Sequence, residues 1–359
     1  MTADAETKRL RNVSRWKLYI LILLVAFGAI FVLSLNLGYA PIPFRDILLI
    51  LSDQVPFLNT AIDASSVNPT YTIIISQIRL PRVICGALVG AALATAGVTY
   101  QGIFRNPMAD PYVIGASTGA SVGSALVFVF GINIAVLGIN TLPVFAFVGS
   151  LVTVLIVYTI SRIGSKVPVT TLLLTGIAMS LFQNAIVTYL KTVADDQILH
   201  GLTFWLIGSL SSTESWDKVY AILPFVVLGA VICYLYARDL NILALGEDQA
   251  QHLGVEIEKV KRILLVSGAL MTAAAVSISG LIGFVGLIIP HVTRVLIGPD
   301  HRVLIPTSAL VGASFLMISD AVSRVIMGSG EAPVGIITAF AGAPFFIYLL
   351  RRKNKGYKL

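Results

Sequence analysis

Long apolar runs, separated by short polar segments, extend over the whole sequence. A helix needs about 20 apolar residues to cross a hydrocarbon core of about 30 Å. Ten runs approach or reach this length, although several are short or interrupted by glycine. The pattern therefore predicts an all-α integral membrane protein with about ten transmembrane helices. The runs are 16–37, 83–100, 112–130, 142–160, 172–190, 219–236, 263–278, 284–297, 303–322 and 334–350.

The composition excludes a soluble domain. Of the 359 residues, 57% are hydrophobic and 12% are charged, whereas about a quarter of the residues of a soluble domain are charged. The net charge of +7 does not indicate nucleic acid, because the cations form small clusters at the ends of the apolar runs. This is the distribution in which basic residues face the cytoplasm. We expect membrane lipid around the chain and no nucleic-acid partner.

Basic residues precede the first run and follow the last run, which predicts that both termini lie in the cytoplasm. Two termini on the same side require an even number of spans. We expect one transmembrane domain over 1–359, with a cytoplasmic N-terminus at 1–15, a cytoplasmic loop at 238–262 and a cytoplasmic tail at 351–359. The stretches 38–78 and 191–218 then face outward; the first of these includes Asp63. The segment Arg79-Leu80-Pro81-Arg82 breaks the rule, because its two cations lie on the outer side.

Residues 86–97 in the second run resemble residues 268–280 in the seventh, both rich in glycine and alanine. A small-residue helix can produce this similarity by chance. The two runs have opposite directions, however, and each is followed by three more runs. This arrangement predicts an inverted repeat of runs 2–5 and 7–10, which is typical of transporters with alternating access.

Few ionisable residues lie inside the runs. Asp320 and Arg324 are four residues apart and can form an ion pair on one helix face, or Asp320 can be the ion site of a secondary carrier. No phosphate-binding loop of the G-x-x-x-x-G-K-[ST] type occurs, so we expect ATP hydrolysis in a separate subunit. The sequence shows no metal-ligand spacing and no catalytic constellation, so we expect neither an enzyme nor a bound cofactor.

The cytoplasmic loop contains a candidate short helix. Gly246 and Gly254 bracket about two turns, with Glu247 and Asp248 in the first turn, where carboxylates favour the helix dipole. Glycine commonly ends helices. The segment is either an ordinary surface helix or a helix that docks on an ATPase and transmits its movement.

Four motifs, in order along the chain, resemble the permease subunits of ABC importers for iron siderophores, haem or cobalamin, the FecCD-type permeases. A weaker fifth motif lies at 333–345. The four are Arg79-Leu80-Pro81-Arg82, Arg105-Asn106-Pro107-Met108-Ala109-Asp110-Pro111, Leu243-Ala244-Leu245-Gly246-Glu247 with Leu253-Gly254, and Gly283-Phe284-Val285-Gly286-Leu287-Ile288-Ile289-Pro290-His291.

The resemblance implies a second permease subunit, in a homodimer or a heterodimer, two cytoplasmic ABC ATPase subunits and an extracytoplasmic binding protein. It implies import across the cytoplasmic membrane, with a ferric siderophore as the first candidate for the cargo, cobalamin as the second and haem as the third.

The resemblance also implies residue roles. The ATPase-coupling residues would be Gly246, Glu247, Ala250, Leu253 and Gly254, and the binding protein would dock on Arg79, Arg82 and Arg324. Asn106, Pro107, Met108 and Thr170 would form the cytoplasmic gate. Gln183 and Asn184 would line the path, although these two amides could equally form hydrogen bonds between helices.

Overall fold

A computed structural model of the chain describes residues 3–38, 40–53, 67–134, 140–326 and 331–353, and helices form most of them. Asp63 and residues 1, 2 and 354–359 of the predicted cytoplasmic termini lie outside the described residues. The α-helices are α1 (Ala3–Asn36), α2 (Phe44–Asp53), α3 (Pro69–Ile73), α4 (Leu80–Phe104), α5 (Ala116–Phe130), α6 (Thr141–Ser161), α7 (Val169–Thr192), α8 (Asp196–Ile207), α9 (Trp216–Leu235), α10 (Ala237–Leu243), α11 (Glu247–His252), α12 (Ile257–Ser279), α13 (Val285–Ile297), α14 (His301–Ile326) and α15 (Val334–Lys353).

The predicted set of ten apolar helices is confirmed in the described part of the chain. Seven helices are long and apolar enough to cross a membrane, and three shorter apolar helices (α5, α13 and α15) occupy the positions of the third, eighth and tenth runs. We call the end of the bundle where α4 begins the outer end, after its predicted orientation, and the opposite end the inner end.

The second span begins earlier than predicted. A π-helical segment, Ile74–Arg79, joins α3 to α4, so one continuous helix runs over Pro69–Phe104 rather than starting at residue 83. Pro69 occupies the first turn, and the Asn68 side chain accepts a hydrogen bond from the Thr70 amide at 2.9 Å. The wider π-helical turn directly precedes Pro81, whose ring and missing N–H do not fit a regular helix interior.

Two short helices, α2 and α8, lie in stretches predicted only to face outward. At 10 and 12 residues, they are too short to span a bilayer. The end of α8 packs tightly on the end of α12 and the start of α15. The Gly335 amide donates to the Gly208 carbonyl at 3.0 Å, and the Ser209 amide donates to the Ser279 carbonyl at 2.8 Å.

The helix contacts reproduce the predicted inverted repeat, in which α4–α7 correspond to α12–α15. Contacts of α4 with α13 and α14 have counterparts in contacts of α12 with α5 and α6. Likewise, α5–α6 and α6–α7 correspond to α13–α14 and α14–α15. Glycine permits the close approaches: a Cβ on Gly97 would lie 1.9 Å from the Gly286 carbonyl oxygen of α13.

Candidate functional site

A cluster of buried charges surrounds Arg82, near the start of α4. Its guanidinium is within 2.9 Å of Asp320 on α14, 3.0 Å of Glu214 and 2.9 Å of Glu331. Glu214 precedes α9 and Glu331 precedes α15. Only 2% of Arg82 is exposed. One guanidinium therefore ties two helices to two connecting segments at the outer end.

Arg79 and Arg324 hold the end of α1. Arg79 donates to the carbonyls of Leu35, Asn36 and Ala40 at 2.8, 3.1 and 2.6 Å. Arg324 donates to the Leu37 and Ser34 carbonyls, both at 2.8 Å. The last carbonyls of a helix lack partners within the helix, and cations are favourable there. The two arginines supply those partners.

The predicted pair of Arg324 with Asp320 is confirmed, with Nε 3.1 Å from Oδ2. Asp320 thus forms ion pairs with both Arg82 and Arg324. It lies six residues before the end of α14, about 9 Å along the helix axis at 1.5 Å per residue. The carboxylate is therefore near the outer end rather than at mid-membrane, where the ion site of a carrier is expected.

The structure brings the three predicted docking arginines together, but none of them projects freely from the outer surface. All three are buried and have partners within the chain. Buried ions are paired because desolvation of a lone charge is expensive. The exposed part of the cluster consists of the Glu214 and Glu331 side chains, with exposed fractions of 38% and 37%.

Neither Glu214 nor Glu331 is among the residues for which the sequence predicted a role. The available signal was the pair of outer cations that broke the topology rule. Buried cations need acidic partners, so the acidic residues of the outer segments were candidate partners for these two arginines.

At the inner end, α11 forms between Gly246 and Gly254 as predicted. Both glycines have positive φ, 123° and 84°, a region where a side chain is strained. The Glu247 carboxylate accepts from the Lys261 ammonium of α12 at 2.7 Å, and the Lys261 side chain is almost fully buried. Ala250 faces the interior, so α11 is fixed against α12.

Two exposed leucines and a groove lie beside α11. Leu245 and Leu253, which flank α11, have exposed fractions of 60% and 62%. The adjoining groove of about 700 Å³ is lined by charged residues of both signs, including Arg162, Lys166 and Asp248. A singly exposed leucine is ordinary on a protein surface, so it is the two leucines together with the charged groove that form a candidate contact surface for another protein.

The predicted gate segment is a tight turn at the inner end of α4. Arg105 ends that helix in the left-handed conformation, with φ of 49°. The Asn106 side-chain oxygen accepts from the Met108 amide at 3.0 Å, which fixes the turn around Pro107. Thr170, the second residue of α7, is exposed.

A second polar contact at the inner end joins α10 to the start of α14. The Asn241 amide group donates to Asp300 at 2.8 Å, and the Asn241 side-chain oxygen accepts from the His301 backbone amide at 2.9 Å. The hydrogen bond from Arg302, which has the larger effect, and the hydrogen bond from Asn241 lower the pKa of Asp300 to about 2.

The two predicted path residues, Gln183 and Asn184, have different surroundings. Gln183 is buried and donates to the Thr153 hydroxyl of α6 at 2.6 Å, while the Thr118 hydroxyl of α5 donates to it at 2.8 Å. For Gln183 the interhelical alternative therefore holds, because both ends of the amide bind neighbouring helices. Asn184 lies on the exposed face of α7, among apolar side chains such as Leu181.

Known proteins resemble the chain over most of its length. The model of the FecCD transport family matches residues 22–352. The cobalamin import system permease protein BtuC of Halobacterium salinarum is 45% identical over 285 residues, which cover 79% of this chain and 75% of the relative. The hemin transport system permease protein HmuU of Yersinia pestis is 37% identical over 339 residues, covering 94% and 95%.

A solved structure described as "an inward-facing conformation of a putative metal-chelate type ABC transporter" has the same fold. Its TM-score is 0.80 at 31% identity, and the match covers 94% of this chain and 99% of that chain. The ten helices, the inverted repeat and these matches agree: the chain belongs to the FecCD transport family, as a permease of the metal-chelate, vitamin and haem class of ABC importers.

Proposed function

We propose that the chain is the membrane-spanning subunit of an ATP-driven importer that moves a metal chelate across the cytoplasmic membrane into the cell. A ferric siderophore is the first candidate for the cargo. Cobalamin and haem, which are also metal chelates, are the alternatives, and the relatives named for cobalamin and hemin support this class. In the proposed assembly two permease subunits, identical or different, form the path. Two ATPase subunits lie below it and a binding protein above.

The observation that carries the proposal is the fixed helix α11 beside two exposed leucines. A coupling element must hold its shape under load, and the Lys261–Glu247 ion pair at 2.7 Å anchors its first turn. Leu245 and Leu253 then provide an apolar contact for the ATPase, while Gly246 and Gly254 set the two ends.

The experiment is co-purification with the ATPase and ATP-dependent uptake in proteoliposomes. Leu253→Glu places a charge in the apolar contact and is expected to abolish both. The matched control, Leu253→Met, keeps an apolar side chain of similar size and is expected to retain them. ATPase binding and uptake at the level of the unmodified protein in the glutamate variant would refute the assignment of α11.

At the outer end we propose docking by exchange of partners. Acidic residues of the loaded binding protein would compete with Glu214 and Glu331 for Arg82, while Arg79 and Arg324 add positive potential beside it. Exposed ion pairs are weak and screened by salt, so the two half-exposed carboxylates are the replaceable ones. Asp320, which is buried, would stay in place.

Glu331→Gln tests this exchange. It removes one competitor for Arg82, so we expect the binding protein to bind about two- to fivefold more tightly at low salt, the size of one exposed ion pair. Asp53→Asn removes an exposed acid of the outer segments elsewhere and serves as the control. Equal or weaker affinity of Glu331→Gln relative to this control would count against docking on Arg82.

For the path, we propose that Asn106, Pro107 and Met108 narrow the inner mouth together with Thr170. Asn184, on the exposed face of α7, would face the path or the second permease. A polar side chain on a lipid-facing surface would be unfavourable, which supports a protein or water neighbour for Asn184.

The rival function is a secondary carrier that uses Asp320 and needs no ATPase. Two arginines already bind this carboxylate, so it has little capacity for a coupling ion. Uptake by the chain alone that collapses with the proton gradient would favour the carrier; uptake that requires the ATPase and ATP would favour the importer.

A further inference from the structure

Two cavities meet at the outer end, in the cleft between α6, α9 and α12. One, of about 210 Å³, has polar and charged residues in its wall, among them Asn140, Ser212, Asp217 and Lys218. The other, of about 180 Å³, has an almost wholly apolar wall. Both are lined by Pro143, Ala221 and Ile278, one residue from each of the three helices. The two cavities are therefore adjacent.

The apolar cavity lies deeper in the bilayer than the polar one. From the three shared residues it extends four positions along each helix, to Phe147, Phe225 and Ala274. Four helical residues correspond to about 6 Å. The polar cavity lies at the start of α9, where Trp216 and Tyr220 stack with ring centroids 6.0 Å apart. Such aromatic residues are typical of the membrane–water interface.

The polar cavity offers one cation and one anion side by side. The Lys218 ammonium donates to the Ser212 carbonyl, which uses one of its three hydrogens. The exposed Asp217 carboxylate accepts from the Ser215 hydroxyl at 3.2 Å and retains acceptor capacity on its two oxygens. Both charges can therefore bind a further group of opposite sign.

We propose that these two adjacent cavities bind one phosphatidylethanolamine molecule. Its phosphate would pair with Lys218 and its ammonium with Asp217, while part of one acyl chain would fill the space between Phe147, Phe225 and Ala274. A choline group has no N–H to donate to Asp217, and a glycerol head group carries no cation for it. An acyl chain gains little by leaving other lipid, so the head group determines which lipid binds.

Native mass spectrometry of the full chain, titrated separately with phosphatidylethanolamine, phosphatidylcholine and phosphatidylglycerol, tests the proposal. We expect one bound phosphatidylethanolamine per chain, held about two- to fivefold more tightly than the other two, as one charged contact at the interface provides. Asp217→Asn should remove this preference, and Lys218→Gln should weaken all three lipids. Asp53→Asn, at an exposed acid away from the cleft, should change nothing.

Two further variants address the cavity and its occupant. Ala221→Trp fills the junction of the cavities and should reduce retention of all three lipids. In a membrane, the Ala221→Cys variant should not form a disulfide between two copies of the chain, because the proposed occupant of the cleft is lipid rather than a second copy. Equal affinity for the three lipids in the unmodified protein, a preference that survives in Asp217→Asn, or efficient cross-linking at position 221 would each overturn the proposal.

Discussion

Replacing Asp320 by asparagine removes the negative charge that two buried arginines share and replaces one of its two acceptor oxygens by an amide donor. The ion pair of Arg82, with contacts at 2.9 to 3.2 Å, and that of Arg324, at 3.1 Å, are both lost. Breaking a buried pair by removing one partner costs about 3–5 kcal/mol. Arg82 retains Glu214 and Glu331, and Arg324 retains the carbonyls of α1, so we expect the lower limit, about 3 kcal/mol.

The assay is thermal unfolding of the purified chain in detergent. A loss of about 3 kcal/mol corresponds to a decrease in Tm of about 6 °C for a large domain. Asp53→Asn, which alters an exposed acid at the end of α2, is expected to change the free energy of unfolding by less than about 0.5 kcal/mol.

A double variant separates the lost pair from a nonspecific defect. In Asp320→Leu/Arg82→Met, both members of this pair are absent, and Arg324 keeps its carbonyl acceptors at the end of α1. Apolar replacement of a whole pair is often close to neutral, so we expect this variant to recover part of the Tm lost in Asp320→Asn. A Tm of Asp320→Asn within 1 °C of the unmodified protein, or a double variant less stable than the single one, would refute the cluster as described.

Three further predictions concern other parts of the fold. Gly97→Ala places a Cβ 1.9 Å from a backbone oxygen of α13 and should cost about 3 kcal/mol in thermal unfolding, whereas Gly28→Ala, whose Cβ meets no atom within 4 Å, should cost nothing. Gln183→Leu should lower the free energy of unfolding by only about 1 kcal/mol in the same assay, because both threonine hydroxyls have another acceptor. Thr153 donates to the Gly149 carbonyl at 2.8 Å, and the Thr118 hydroxyl can donate to the Gly115 carbonyl at 3.1 Å once the glutamine is absent. The pKa of Asp300 is lowered to about 2, so its contribution to the free energy of unfolding is complete above about pH 4 and is lost as the pH falls towards 2. We expect this contribution to be about 1 kcal/mol after screening by solvent. The Tm of the unmodified protein should therefore fall more steeply in acid than the Tm of Asp300→Asn.

The sequence was most informative where structure depends on local pattern. Apolar length predicts the ten spans, and Gly246 and Gly254 predict α11 with its correct ends, because both signals come from neighbouring residues. The start of the second span was wrong by 14 residues. The polar residues Thr70, Ser76 and Gln77 interrupt the apolar pattern, although the backbone stays helical from Pro69 onward.

The charge cluster depends on tertiary contacts that a single sequence does not reveal. Glu214, Asp320 and Glu331 are 132, 238 and 249 residues from Arg82 along the chain. The Asp320–Arg324 pair was predictable because four residues separate its members on one helix. The cleft between α6, α9 and α12 likewise required the packing of three helices that are distant in sequence.

The long helix that includes α4 has a mechanical consequence. Its 36 residues measure about 54 Å at 1.5 Å per residue, more than the hydrocarbon core of about 30 Å. Arg82 lies 22 residues before the end of this helix at Phe104, about 33 Å along its axis, and the Asn106–Met108 turn follows Phe104. A tilt of about 5° about the midpoint between Arg82 and Phe104 moves these two residues by about 1.4 Å in opposite directions. A displacement at the outer charge cluster would thereby produce an opposite displacement of the Asn106–Met108 turn at the inner end, without any intermediate element.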